Sequence, residues 1–238
     1  MKSIEFVQML RESEKSVFTI NDIAKIIDKS INYSRLYIHR LEKRGFIKEL
    51  EHGKYAIDDH PFLISSDIVF PSYVSFLSGL NYYDLTTQMS NTIFVATIKS
   101  KKEMKLVDFS IKFVKLNKSR FFGYKREKFN NKLIFVGEIE KVIVDSLFLS
   151  EYCPITETFE AIKSREFHLD KLIDYALRMN SIVVLKRLGY MLELLDIEIH
   201  NKVKAKLNNR YDLLNPFITK SKNTNKKWKL IINEDLKI

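Results

Sequence analysis

A chain of 238 residues with 45% hydrophobic and 12% aromatic content can bury a sizeable core, and only six glycines and four prolines argue against low complexity or disorder. Its net charge of +10 favours an anionic partner, while the single cysteine, Cys153, excludes an intrachain disulfide and a multi-thiolate zinc site. The length exceeds that of a typical domain, so two are expected, and no window approaches the ~20 apolar residues of a membrane span.

The N-terminus, Met1-Lys2-Ser3-Ile4-Glu5-Phe6, interrupts its apolar residues with charge and lacks the apolar run of a secretory leader. With one cysteine, the expected home is a reducing cytoplasm. From Thr19 the pattern becomes helical: Thr19, Asn21 and Asp22 can cap a helix, and Ile23, Ile26 and Ile27 follow at helical spacing. Asp28 to Asn32 is short and polar enough to be a turn. Tyr33 to Arg44 repeats the helical period with Tyr37, Ile38 and Leu41 inward, and Gly45 stands where that helix must stop. Phe46 to Leu50 and Tyr55 to Ile57, joined by Glu51-His52-Gly53-Lys54, predict a hairpin. Together, Asn21 to Ile57 predict a winged helix-turn-helix, whose usual substrate is the major groove of double-stranded DNA.

Charge along the second of these helices fits that substrate. Between Ser30 and Lys48 stand Arg35, Arg40, Lys43, Arg44 and Lys48 against Glu42 alone. Asn32, Tyr33, Arg35, Leu36 and His39 occupy the early, outward part of the helix, where side chains can reach base edges, with Ser30 at its start. Arg40, Lys43, His52 and Lys54 lie further back, suited to neutralising backbone phosphates. The alternative is that these charges solvate one face of an ordinary amphipathic helix and the winged fold serves protein contact.

Asp58-Asp59-His60-Pro61 reads as a hinge, placing a DNA-binding domain at 1–61 and a larger domain at 62–238. Pro71 to Leu80 predicts a short helix. Thr92 to Lys99, Phe109 to Leu116, Arg120 to Tyr124 and Lys132 to Val136 predict strands. From Glu138 the period changes, with Ile139, Val142, Ile143, Leu147 and Phe148 on one helical face, and helices continue to about residue 207. Lys227 to Asn233 predicts a final strand in which Trp228 anchors packing. Strands followed by helices make this domain mixed α+β, so the fold class is α+β with a winged helix-turn-helix in front. The excess charge is concentrated in two segments of it: twelve basic against three acidic residues over 99–133, and ten against three over 200–238. That excess either extends a nucleic-acid footprint or reflects a lysine-rich proteome, and Lys99-Ser100-Lys101-Lys102 reads as a strand-end turn.

Four blocks of this domain resemble, in order, the AbiEi-type antitoxins of abortive-infection, type IV toxin–antitoxin systems. They are Phe121-Phe122-Gly123-Tyr124, the run Glu138 to Leu147, Arg187-Leu188-Gly189-Tyr190-Met191-Leu192-Glu193, and Leu214-Asn215-Pro216 through Trp228 to Asn233. The chain departs from that pattern in lacking an Asp-Pro ahead of Glu140-Lys141 and in filling Ser221 to Lys227 with lysines and asparagines where a glycine is common. The resemblance implies a nucleotidyltransferase-like toxin as partner, repression of a shared promoter through the winged helix, and neutralisation through the C-terminal domain. Two copies would bind an inverted repeat in that promoter.

Gly189 costs a helix about 1 kcal/mol relative to alanine, which suggests a neighbouring backbone or ring in close approach. The flanking Arg187 and Glu193 predict either buried ion pairing with the Glu140-Lys141 or Asp145 face, or, with Tyr190, a partner-binding groove. Glu138, Glu140 and Asp145 have no phosphate-cradling glycine loop nearby, and His39, His52, His60, His168 and His200 lack ligand spacing. No catalytic residue, metal or cofactor is therefore expected. The readings, in order, are a DNA-binding autorepressor and antitoxin; a protein-interaction antitoxin or a stand-alone regulator; and a nucleic-acid-processing enzyme.

Overall fold

A ten-residue helix opens the fold: α1 (Ser3–Glu12) turns Phe6, Val7 and Leu10 inward and leaves its charges in solvent. The computed structural model describes residues 3–219 and 221–237. Met1 and Lys2 of the N-terminal reading, and Lys220 and Ile238 of the basic segment 200–238, lie outside the described residues. The short strand β1 (Val17–Thr19) leads into α2 (Ile20–Ile27), which starts on a capping box. The Thr19 hydroxyl accepts from the Asp22 N–H, and the Asp22 carboxylate accepts from the Thr19 N–H. Asp28, in the left-handed region at φ 53°, ends α2. After Lys29 the chain enters α3 (Ile31–Lys43) with Ser30 as its N-cap, two residues earlier than the apolar period indicated. Gly45, at φ +72°, turns the chain into β2 (Lys48–Glu51) and β3 (Lys54–Ala56). β3 lies between β1 and β2 in an antiparallel sheet, over a core that includes Phe6, Leu10, Phe18, Ile23, Ile38 and Leu41. Burying Ile38 and Leu41 fully stabilises α3 by about 1.5–3 kcal/mol each, so one face of the helix is fixed and the other is left free.

The expected hinge is a structured junction instead. His60 caps α4 (Pro61–Asp67), with Pro61 in its first turn, where a missing N–H costs no helical hydrogen bond. The Asp67 carboxylate accepts from the Ser16 and Val17 N–H groups at 2.9 and 3.0 Å. Buried Lys132 donates to the carbonyls of Leu10, Ser13 and Lys15 at 2.9, 2.9 and 3.2 Å. One hydrophobic cluster joins Val17 and Ala56 to Ile64, Ile68, Val95 and Phe113. The N-terminal unit is thus bolted to the rest of the chain by packing and by a buried cation.

Beyond α4, residues 71–80 divide between a strand, β4 (Ser72–Val74), and a helix, α5 (Phe76–Tyr82), where a single helix was expected. There follow β5 (Thr92–Thr97), β6 (Met104–Lys105), β7 (Ser110–Lys115), β8 (Tyr124–Phe129) and β9 (Lys132–Gly137). They form a six-stranded sheet in the order β6-β7-β5-β4-β9-β8, with β5/β7 and β4/β9 parallel and the other pairs antiparallel. The expected strand Arg120–Tyr124 is a 3-10 turn over Lys118–Arg120 followed by a bend at Gly123, φ +66°, where a Cβ would meet the Tyr175 ring at 2.6 Å.

Helices then follow: α6 (Ile139–Phe148), with α7 (Ile155–Lys163), α8 (Leu169–Arg178) and α9 (Ile182–Glu193) packed around it, and the short α10 (His200–Val203) after them. Helix α6 is buried from Glu140 to Leu147, beyond the single face its period suggested. Its charges are met internally: Lys141 pairs with Asp145, which also accepts from Tyr73 and Ser75 at 3.0 and 2.9 Å. Burial pushes the Lys141 ammonium below its ordinary value against the opposing pull of Asp145. The chain closes in a three-stranded sheet of two-residue strands, β10 (Asp212–Leu213), β11 (Thr224–Asn225) and β12 (Leu230–Ile231), where one longer strand was expected. Trp228 is fully buried, and a Cβ on Gly189 would lie 2.1 Å from its ring, which explains the glycine in α9.

Candidate nucleic-acid interface

Because Ser34, Ile38 and Leu41 anchor one side of α3, the opposite side is presented to solvent as a unit. It carries Asn32, Tyr33, Arg35, Leu36, His39, Arg40 and Lys43, all exposed, with Arg44 and Lys48 just beyond. Tyr33 stacks on the half-buried Tyr37, which in turn meets Phe6 edge-on, so its ring is held although 48% exposed. Leu36 is 61% exposed, an apolar group with no packing role that accounts for its position. Among the described residues Arg35, Arg40, Lys43 and Arg44 make no ion pair. Ser30 serves as a cap, its hydroxyl accepting from the Tyr33 N–H at 3.3 Å.

The β2–β3 turn stands beside this face. A cleft of ≈ 520 Å³ separates the two, with Arg35, His39 and Glu42 on the helix side and Glu49, His52, Lys54 and Tyr55 on the hairpin side. The turn is fixed from two directions. The Gly53 N–H donates to Glu49 at 2.9 Å, and the Gly53 carbonyl accepts from the Ile20 N–H at 3.2 Å. Burial, then the charges of Glu49 and Glu42, raise the Tyr55 hydroxyl above its ordinary pKa. Two carboxylates inside a cationic rim favour hydrogen-bond donors in the cleft and phosphates on the rim.

Lys54 departs from the role expected of it. Its ammonium donates to the Ile68 carbonyl at 2.7 Å and pairs with Glu51 at 2.9 Å, so it holds the hairpin to α4 rather than waiting for phosphate. His52, by contrast, is exposed at the turn.

The three residues expected at a partner groove are parts of the core's edge. Arg187, 5% exposed, donates to the Leu147 carbonyl at 2.7 Å and to the Leu213 carbonyl at 3.1 Å; the expected ion pair with Glu140 or Asp145 is absent. Glu193 accepts from the Trp228 indole N–H and pairs with Lys227 at 3.0 Å. Tyr190 is half-buried against the helical core that contains Leu188, Leu192 and Trp228. All three help to close the C-terminal sheet over α9, and Arg187 also lines a cleft of ≈ 300 Å³ with Phe148, Val183 and Phe217.

Sequence reasoning counted Arg44 and Lys48 as charge without assigning them to the site; their exposure beside α3 adds them. It gave no sign of the acidic wall, because Glu42 and Glu49 meet only after the chain has turned at Gly45.

The fold is that of a mixed α+β protein in which a helical N-terminal region precedes a larger α+β domain. It is similar to the crystal structure of the RV2827C protein from Mycobacterium tuberculosis, with a TM-score of 0.61 and 12% identity, covering 94% of this chain and 89% of that one. No family model and no curated protein matches the chain. Among the described residues no helix is long and apolar enough to cross a membrane.

Proposed function

We propose that the N-terminal unit is a winged helix-turn-helix that binds double-stranded DNA, with α3 as recognition helix and the β2–β3 hairpin as wing. The observation that carries this reading is the unpaired cationic face of α3 beside an ordered hairpin turn. Several cations elsewhere are matched, as in Lys15–Asp22, Lys101–Glu51 and Lys125–Glu127. From Ser30 to Lys48 five cations stand against one acid, Glu42, an imbalance that solvating a helix does not require. Arg35 suits a guanine edge, Asn32 an adenine edge and Leu36 a thymine methyl, while Arg40, Lys43 and Arg44 suit phosphates.

Joined to the AbiEi-type resemblance, this makes the chain an autorepressor and the antitoxin of a nucleotidyltransferase-like toxin. A reporter driven by the chain's own upstream DNA tests the first part: the wild type should silence it and an Arg35→Ala/His39→Ala/Arg40→Ala variant should not. Co-expression with a neighbouring nucleotidyltransferase-like gene tests the second, with restored growth expected. Silencing without rescue would leave a stand-alone regulator; equal silencing by the variant would refute the α3 interface.

A further inference from the structure

The loop between β5 and β6 carries lysines that α3 does not account for. Lys101 makes an ion pair with Glu51, the last residue before the hairpin turn, and lies 5.5 Å over the Phe113 ring. The loop is therefore pinned against the hairpin. His52 and Gly53 of the same turn line the cleft shared with Arg35 and His39. The hairpin thus meets α3 across the cleft and the loop through Glu51.

Lys99 and Lys102, exposed, flank the pinned residue, and Lys105 is exposed on β6. Successive Cα atoms are about 3.8 Å apart, so the backbones of Lys99 and Lys102 stand within roughly 8 Å of that of Lys101. None of the three makes an ion pair among the described residues, although acids are at hand: Glu103 lies near Lys112 at 3.7 Å. Three unpaired ammonium groups next to an occupied one leave a strip of uncompensated positive charge continuous with the hairpin.

We propose that Lys99, Lys102 and Lys105 extend the DNA interface beyond the hairpin by contacting the phosphate backbone of the same duplex. This inference rests on the DNA-binding reading above. Lysine ammonium groups are point charges without the planar fork of arginine, so the strip adds affinity and salt dependence without choosing a sequence.

The test is fluorescence anisotropy on a duplex of about three helical turns, titrated across salt concentrations, with full-length protein. Each phosphate contact contributes about 0.9 to the slope of log affinity against log salt. A Lys99→Gln/Lys102→Gln/Lys105→Gln variant should therefore flatten the slope by about 2 to 3 and bind roughly ten- to a hundred-fold more weakly near physiological salt. It should do so equally on different sequences. A control of matched charge, Lys204→Gln/Lys206→Gln/Lys222→Gln, removes exposed lysines of the C-terminal region and should leave the slope nearly unchanged. Amine acetylation of the wild type gives a reading independent of any variant's folding: DNA should protect Lys99 and Lys102 and leave Lys204 reactive. An unchanged slope in the first variant, equal flattening in the control, or no protection overturns the proposal while leaving the α3 interface standing. No binding by the wild type overturns both.

Discussion

Arg35 and Lys43 project from the same helix face without acidic partners, yet their chemistry predicts different defects. Arg35→Ala should cost about 1–3 kcal/mol on a specific duplex and relax the preference at one base pair, because a guanidinium can bridge two acceptors of a guanine. Lys43→Ala should weaken all duplexes alike and flatten the salt dependence by about one contact. Competition binding with base-substituted duplexes separates the two, and identical profiles for both variants would contradict these roles. Gly189 makes a different kind of prediction. Its missing Cβ leaves room for Trp228, so Gly189→Ala must displace a buried ring and should destabilise the fold by roughly 1–3 kcal/mol in urea denaturation. Close approach at Gly189 was legible in the sequence because glycine is costly inside a helix. The partner of Arg187 was not, because carbonyls as acceptors leave no trace in residue type.

At the scale of elements, the hairpin depends on Glu51. Burial acts to raise its carboxyl pKa, but hydrogen bonds from Lys101 and Lys54, and their charges, outweigh this and hold it below its ordinary value of 4.5. A carboxyl whose pKa is lower folded than unfolded contributes stability that is complete above the unfolded pKa and is lost as the pH falls through the folded one. Thermal unfolding should therefore show wild type above Glu51→Gln at pH 7, with the gap closing below about pH 4.5; parallel profiles would rule this out. Elements with a strong apolar period, α2, α3, β5, β7 and β9, were legible. Helix α1 escaped because Glu5 and Arg11-Glu12 bound an apolar run of barely two turns, and β1 because three residues give no alternation. Strand β8 carries Lys125, Arg126, Glu127 and Lys128 at the sheet's outer edge, so its charges hid it and the aromatic run before it was read as the strand. Pro61 was read as a breaker although proline is also favoured in a helix's first turn.

The two parts of the molecule are joined near residue 61, where Lys132 satisfies three carbonyls of the N-terminal unit. Replacing it with methionine keeps the volume but strands those acceptors. Lys132→Met should lower stability by roughly 2–4 kcal/mol and, in hydrogen exchange, loosen residues 3–19 ahead of the large sheet. Uniform loosening would argue that the N-terminal unit is held by apolar packing alone. This junction was invisible in the sequence, since a lysine 71 residues beyond the apparent hinge carries no sign of where its side chain will end. The Lys101–Glu51 pair also sets the hairpin beside the 98–103 loop, so the proposed DNA surface depends on the complete fold. The most direct test of that surface is a mobility shift with purified protein on the duplex upstream of its own coding region. Wild type should retard the duplex in a salt-dependent manner, and the Arg35→Ala/His39→Ala/Arg40→Ala variant, folded by circular dichroism, should not. Equal retardation by both proteins, or none by either, would contradict the assignment of α3 as the DNA-reading helix.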